Sequence, residues 1–120
     1  MQYMLLIYGD PAARESLSDE ERGQMMEAYG SFTQELRDSG AMVAGDALES
    51  PQTATTVRVK NDETLTTDGP FAETKEQLGG YYLVEAGSLD DAIEWAAKIP
   101  AARYGSVEVR PIVVFEEGGS

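Results

Sequence analysis

The chain has 120 residues, the length of one domain, and 42% of them are hydrophobic, which is enough to build a core. Its 22 acidic and nine basic residues give a formal charge of −13, and such a field repels nucleic-acid phosphates. The absence of cysteine and histidine excludes disulfides, Cys/His zinc sites, thiol catalysis and imidazole acid–base steps. We therefore expect no metal and no cofactor.

The first half of the chain predicts a strand, a helix and a second strand. Residues 3–8 are apolar at both alternating sets of positions, which is typical of a strand covered on both faces. This run is too short to span a bilayer and has no basic region before it, so we expect no membrane contact and a cytoplasmic location. Ser18 and Glu21 match a capping box, and Gly40 is expected to end the helix. A core stripe is predicted at Met25, Met26, Tyr29 and Phe32, and a short strand at residues 41–45.

The second half begins with a predicted hairpin, residues 55–60 and 64–67, that turns at Asn61-Asp62. A tight turn at residues 68–71 and a loop or single helical turn at 72–78 lead to a strand at 81–85. Ser88 then caps a second helix that ends at Pro100. The apolar face of this helix is predicted at Leu89, Ile93, Ala96 and Ala97, with Trp95 outside it. The last strand is expected at residues 107–110, with Pro111 marking an edge or a bulge before 112–114.

With the hairpin set aside, the element order is β-α-β followed by β-α-β, which predicts an α+β, ferredoxin-like split βαβ fold with an inserted hairpin. Two helices cover only one face of such a sheet, so a second copy is the simplest cover for the other face. We therefore predict a homodimer in the form of a dimeric α+β barrel. Residues 1–115 are assigned to a single domain and residues 116–120 to a tail without a role.

The segment from Thr67 to Tyr82, TDGPFAETKEQLGGYY, resembles the signature of the DGPF branch of the YCII-related proteins. The opening strand, the stretch from Gly40 to Gly45 and the sequence from Pro100 to Arg103 agree with that resemblance. It implies a dimeric ferredoxin-like fold. The wider group includes a dehydrochlorinase-type lyase and proteins with a His–Asp pair in a cleft, but residues 25–29, which match the His region, read MMEAY. The branch is also often encoded beside extracytoplasmic-function sigma factors, which implies a sigma factor as a partner.

Asp68 is the candidate catalytic residue. It either braces its own turn through nearby backbone N–H groups or stands at the edge of a cleft as a general base or ligand contact. The resemblance makes these alternatives about equal, and both stay open at the level of the sequence.

The remaining candidates are expected to bind a ligand beside Asp68, although each has a structural alternative. Gly69 and Pro70 shape the loop, Phe71 anchors it as a hydrophobic plug, and Lys75 belongs to a solvated charge cluster. Arg58 is either on a solvent face or an anion clamp near Asp68. Tyr8 and Tyr82 are core or interface residues that also have phenol groups to offer; because Tyr81 and Tyr82 are adjacent on a strand, one of them faces any cavity.

Three functional hypotheses follow. The first is a pocket between the sheet and the DGPF loop that binds a small molecule, with weak lyase or isomerase activity as an extension, so whether the chain is an enzyme stays open. The second is a non-catalytic partner of a sigma factor in transcription, which meets a basic patch through its acidic surface. The third is a structural dimer without a ligand.

Overall fold

The computed structural model describes residues 1–115. The tail predicted at residues 116–120 lies outside the described residues. Within residues 1–115 six strands and three α-helices follow one another, with short 3₁₀ segments at Pro51–Thr53 and Pro100–Arg103. They are β1 (Gln2–Gly9), α1 (Pro11–Glu15), α2 (Asp19–Asp38), β2 (Met42–Ala47), β3 (Thr55–Lys60), β4 (Glu63–Asp68), β5 (Gln77–Glu85), α3 (Leu89–Lys98) and β6 (Ser106–Pro111).

The central sheet has four strands in the order β2-β5-β1-β6, and every neighbouring pair is antiparallel. The units β1-α2-β2 and β5-α3-β6 interleave, because β5 lies between β1 and β2, and β1 lies between β5 and β6. This is the split βαβ connectivity predicted from the element order. Strand β6 is an edge strand, as its closing Pro111 indicates.

One face of the sheet is covered by α2 and α3 and contains the core. Leu5 and Val84 are fully buried there, and Leu36 reaches them from α2. The wider core cluster also includes Tyr3, Ile7, Phe32, Tyr82, Ala86, Ala92, Ala96 and Ile99. The Phe32 ring meets the ring of Tyr82 edge-on, with 5.1 Å between centroids. The helix-covered face is therefore a closed hydrophobic layer.

The predicted helix caps are confirmed. Ser18 Oγ accepts from the Glu21 backbone N–H at 3.1 Å, and Glu21 Oε1 accepts from the Ser18 N–H at 2.9 Å. The hydrogen bond from the Ser18 backbone lowers the pKa of the Glu21 carboxyl. Ser88 Oγ accepts from the Asp91 N–H at 3.2 Å at the start of α3. Gly40 follows the end of α2 at φ = 81°, a left-handed conformation that favours glycine.

The predicted helix faces need two corrections. Met26 was expected in the core stripe, but its side chain is 75% exposed because the face of α2 that meets the sheet is centred on Phe32 and Leu36. On the predicted face of α3 only Ala96 is buried, together with Ala92, whereas the predicted Leu89, Ile93 and Ala97 are exposed. Small alanines allow α3 to lie close to the sheet, and this turns the larger side chains outward.

Some elements and boundaries also differ from the predictions. Helix α1 was not expected; it begins at Pro11, and Asp10 caps it by accepting from the Ala12 N–H at 3.0 Å. Strand β5 begins at Gln77, within the segment predicted as a loop. Residues 112–114 are not a strand, although the Ile112 N–H still bonds the Gln2 carbonyl at 2.9 Å.

Strands β3 and β4 form a separate two-stranded sheet whose members are almost all exposed. Asn61 and Asp62 make the two-residue turn, both at positive φ (52° and 64°), as a type I′ hairpin turn requires. The radius of gyration is 16.6 Å, and the chain measures 48 × 48 × 18 Å. A compact chain of this length has a radius of gyration of about 14 Å. The molecule is a flat slab from which the hairpin extends.

Candidate functional site: the open face of the central sheet

The second face of the central sheet is not covered by any element of residues 1–115. Met4 and Leu6 of β1 point to it, and they lie opposite Leu83 and Tyr81 of β5. All four side chains are only half-buried. Because residues opposite each other on antiparallel strands share a face, the four form a continuous apolar centre, and we call this surface the open face.

Polar side chains lie at both edges of the open face. On the β2 side Asp46 is opposite Tyr81, and on the β6 side Glu108 is opposite Leu6. Asp46, Tyr81, Leu6 and Glu108 therefore form one row across four strands. Arg110 is opposite Met4 and forms an ion pair with Glu108 in which its Nε lies 3.2 Å from Glu108 Oε2. The carboxylate at the β6 edge is thus compensated by a cation.

The Tyr81–Asp46 pair has a different character. Tyr81 Oη donates to Asp46 Oδ2 at 2.8 Å. This hydrogen bond, together with the nearby negative charge, raises the pKa of the Tyr81 phenol above its ordinary value. Among residues 1–115 no cation forms an ion pair with Asp46. The pair therefore retains a full negative charge beside an apolar surface.

Of the sequence candidates, Tyr8 lies at the open face and Tyr82 does not. Tyr8 is half-buried on β1, opposite Ser106, whose Oγ donates to Glu76 Oε1 at 2.8 Å. This bond brings the end of the DGPF loop (residues 68–76) to the edge of the open face. Tyr82 was proposed as a ligand contact, but it is 8% exposed under the helices, and its Oη is 2.7 Å from Thr33 Oγ1. Tyr81 is the member of the pair that faces the open side.

Asp68 is exposed at the end of β4, and among residues 1–115 its carboxylate forms no hydrogen bond. The turn is held by other groups. Thr56 Oγ1 donates to the Gly69 carbonyl at 2.9 Å, and the Gly69 N–H donates to the Ala54 carbonyl at 2.7 Å. Gly69 has φ = 97°, which explains the need for glycine there. The turn-bracing alternative for Asp68 therefore has no hydrogen bond to support it in the described part of the chain.

The structure does not bring Arg58 to Asp68. On the hairpin Asp68 is opposite Thr55, whereas Arg58 is opposite Leu65. Positions 55 and 58 differ by an odd number along β3, so Asp68 and Arg58 lie on opposite faces of the hairpin. An anion clamp made from these two side chains of one chain is excluded by this register.

The rest of the DGPF loop is only partly open to solvent. Phe71 is 80% exposed, so the expectation that it plugs the loop onto its own chain is wrong. Gly69 and Pro70 are half-buried, and Lys75 is exposed, as expected for a member of a solvated charge cluster. Gln77 also holds the loop, since its Nε2 donates to the Thr74 carbonyl at 2.8 Å.

A concavity lies elsewhere, between α3 and the end of β5, and two of its charged side chains, Lys98 and Glu85, are already engaged. Lys98 Nζ is 2.6 Å from Glu35 Oε2 and 5.0 Å from the centre of the Trp95 ring. Glu85 bonds the amino group of Met1. This concavity is a shallow surface groove and is a weaker candidate than the open face.

The YCII-related domain matches residues 1–116 of this chain. An uncharacterised protein of Rhizobium meliloti (strain 1021) is 36% identical over an alignment of 120 residues. The alignment covers 98% of this chain and 97% of the relative. The chain belongs to the YCII-related family. The resemblance found in the sequence is thereby confirmed at the level of the family, while the DGPF branch stays a prediction that rests on the motif.

Within residues 1–115 of this YCII-related domain, the open face has carboxylates, phenols, the Ser106 hydroxyl and the guanidinium of Arg110 as its polar groups. Among residues 1–115, no group of three or more Asp or Glu side chains is placed to hold a metal ion. Nor does any helix in the described part have the length and hydropathy needed to cross a membrane. Sequence analysis named Tyr81 but not Asp46. The feature that brings the two residues together is the pairing of β2 with β5.

Proposed function

We propose that this YCII-related chain binds a small, largely apolar molecule on the open face, and that a second copy covers the rest of that face. The observation that carries the proposal is the apolar centre formed by Met4, Leu6, Tyr81 and Leu83, which no part of residues 1–115 covers. Two copies placed with their open faces together would form the dimeric α+β barrel expected from the sequence.

The physical argument begins with the apolar surface. A strand that is apolar on both faces loses the free energy of burial on whichever face stays in water. The slab is 18 Å thin, so its single sheet has helices on one side only. A second sheet supplies the missing layer, as in other two-layer packings of sheets.

A cleft between the two sheets has the composition of a small-molecule site. Such sites are mainly apolar and contain a few polar groups that orient the ligand. Tyr8, Tyr81 and Asp46 provide those groups in this chain, and Glu76 brings the DGPF loop to the margin through its bond with Ser106. In a chain without histidine, a proton transfer in this cleft would use a carboxylate or a phenol. Weak lyase or isomerase activity is one form of catalysis that such groups permit.

A matched pair of variants tests the proposal. Leu6→Glu puts a charge at the centre of the open face, whereas Met26→Glu puts the same charge on the outside of α2, where the side chain is already 75% exposed. We expect the wild type and Met26→Glu to sediment as dimers and to bind the neutral apolar fluorophore N-phenyl-1-naphthylamine saturably. Leu6→Glu is expected to be monomeric and to lose the fluorophore. Saturable binding that survives in a folded Leu6→Glu would overturn the proposal.

The other two functional hypotheses stay predictions. A sigma-factor partner would meet the acidic surface, for example the first turn of α2 with Asp19, Glu20 and Glu21. A salt-sensitive complex with such a factor would be its signature. A structural dimer without a ligand predicts the same sedimentation as our proposal but no saturable fluorophore binding.

A further inference from the structure

The Tyr81–Asp46 pair presents hydrogen-bond acceptors. Tyr81 uses its only O–H to donate to Asp46 Oδ2 at 2.8 Å, so its phenol oxygen is left as an acceptor. An ionised carboxylate has no donor at all, and Oδ1 of Asp46 keeps its lone pairs. A molecule that meets this pair must therefore bring a donor.

The charges at the two edges of the open face indicate whether the ligand is a cation or an anion. At the β6 edge Arg110 compensates Glu108. At the β2 edge the partner of Asp46 is a neutral phenol, so a whole negative charge remains there, in a chain of formal charge −13. A cationic donor gains from this charge, whereas an anion is repelled by it.

The surroundings of the pair specify the rest of the ligand. Tyr81 is opposite Leu6, and Leu83 is opposite Met4, so the apolar centre begins one strand away from Asp46, about 5 Å across the sheet. Tyr81 also offers an aromatic ring, which attracts a cation at its face. A compact cation without an apolar body would leave this surface in water.

We propose that the open face takes an ammonium compound with an apolar body, with its nitrogen on Asp46 and Tyr81 and its body on Met4, Leu6 and Leu83. This inference rests on the proposed function, because it names the chemical class of the ligand for that site. It assigns Asp46 the ionic contact and Tyr81 a second acceptor.

Three probes of similar shape test the ligand class: 2-phenylethylamine, 2-phenylethanol and 3-phenylpropionate. Each is titrated at pH 7 into ¹⁵N-labelled full-length protein while the amide signals of Met4, Leu6, Tyr81 and Leu83 are followed. We expect the amine to bind most tightly, the alcohol more weakly and the carboxylate not measurably.

Variants identify the contact. Asp46→Asn is expected to weaken amine binding about tenfold, the usual scale for a hydrogen bond to a charged group, and to leave the alcohol unchanged. Tyr81→Phe keeps the carboxylate and is expected to weaken the amine about fivefold, as for one neutral hydrogen bond. Glu94→Gln, on the exposed side of α3, removes the same charge from the molecule far from the site and is the control, with no expected change.

The outcomes separate this inference from the proposed function. If the carboxylate binds as tightly as the amine, or if Asp46→Asn binds the amine like the wild type, the inference is overturned while the small-molecule site stands. If none of the probes shifts the four amide signals, the site itself is overturned, and the inference with it.

Discussion

The two faces of the central sheet are made from the same strands but differ in burial and in charge. Leu5 and Leu6 are neighbours on β1; Leu5 is fully buried under the helices, whereas Leu6 lies half-buried on the open face. Tyr82 and Tyr81 repeat this contrast on β5. On the covered face the polar atom of the tyrosine is satisfied by Thr33, and on the open face by a charged Asp46. The covered face provides stability, and the open face retains exposed apolar area and charge.

The largest expected effect separates the two faces by their leucines. Leu5→Ala removes a fully buried side chain and should reduce the free energy of unfolding by about 2–5 kcal/mol. Leu6→Ala should cost less, and its cost should grow with protein concentration, because a second copy stabilises only what it contacts. Urea unfolding of both variants at two protein concentrations measures this. Equal, concentration-independent losses would show that the faces do not differ in the proposed way.

Gly105 tests how closely the chain approaches the end of β1. A Cβ atom at this position would lie 2.2 Å from the Tyr8 carbonyl oxygen. This oxygen belongs to the backbone and cannot move aside as the end of a flexible side chain can. Gly105→Ala should therefore destabilise the fold by about 1–3 kcal/mol, as overpacking does. Gly9→Ala is the control, since a Cβ at Gly9 has no atom within 4 Å. Thermal unfolding compares them, and a Gly105→Ala variant as stable as Gly9→Ala would contradict the geometry.

The tyrosines sharpen the comparison at the level of one hydroxyl group. Tyr82→Phe leaves Thr33 without its partner at 2.7 Å in a part-buried position and should cost about 1 kcal/mol. Tyr81→Phe removes an exposed hydrogen bond and should change the stability less than Tyr82→Phe does. Chemical denaturation of the two variants under identical conditions tests this ranking. A larger loss in Tyr81→Phe would mean that the open face, too, is part of the folded core.

Sequence patterns were sufficient for most of the elements and for their connectivity, although helix α1 was not expected. Caps and alternation identify strands and helices through local physics, so the capping box at Ser18 and the turn at Asn61-Asp62 are found where predicted. Local sequence does not determine which face of a helix is buried. In α3 both the Leu89–Ile93 side and the Ala92–Ala96 side are apolar, and close approach to the sheet, a tertiary effect, favours the small residues.

The site was harder to predict for the same reason. Asp46 and Tyr81 are 35 positions apart and meet only because β2 pairs with β5 in one register. Alternation shows that Tyr81 and Tyr82 face opposite sides, but it does not show which side the helices cover. The DGPF motif drew attention to Asp68 and Phe71, although their side chains are exposed in a single chain.

A pH titration examines the open face directly. The hydrogen bond to Asp46 raises the pKa of Tyr81, so the folded state holds the phenol proton more tightly than the unfolded chain does. The resulting stability is complete below the pKa of an unfolded tyrosine, about 10, and is lost as the pH rises through the higher folded value. Burial also raises the pKa of Tyr29, so the tyrosinate absorbance should show two late-titrating tyrosines. One of them should disappear in Tyr81→Phe and titrate earlier in Asp46→Asn. An unchanged titration in Asp46→Asn would mean that Asp46 is not the cause of the raised pKa.

The smallest effect is expected at Asp68. Its carboxylate forms no hydrogen bond among residues 1–115. Asp68→Asn should therefore change the free energy of unfolding by no more than about 0.5 kcal/mol and leave the melting temperature of the dilute protein unchanged. Thr56→Val removes the hydroxyl that holds the Gly69 carbonyl and should cost about 1 kcal/mol in the same experiment. If Asp68→Asn lowers the melting temperature as much as Thr56→Val does, Asp68 braces the turn after all. If it does not, this charged residue at the end of an exposed hairpin contributes nothing to the stability of its own chain, and a role in contacts with a ligand or a second copy is the better explanation for it.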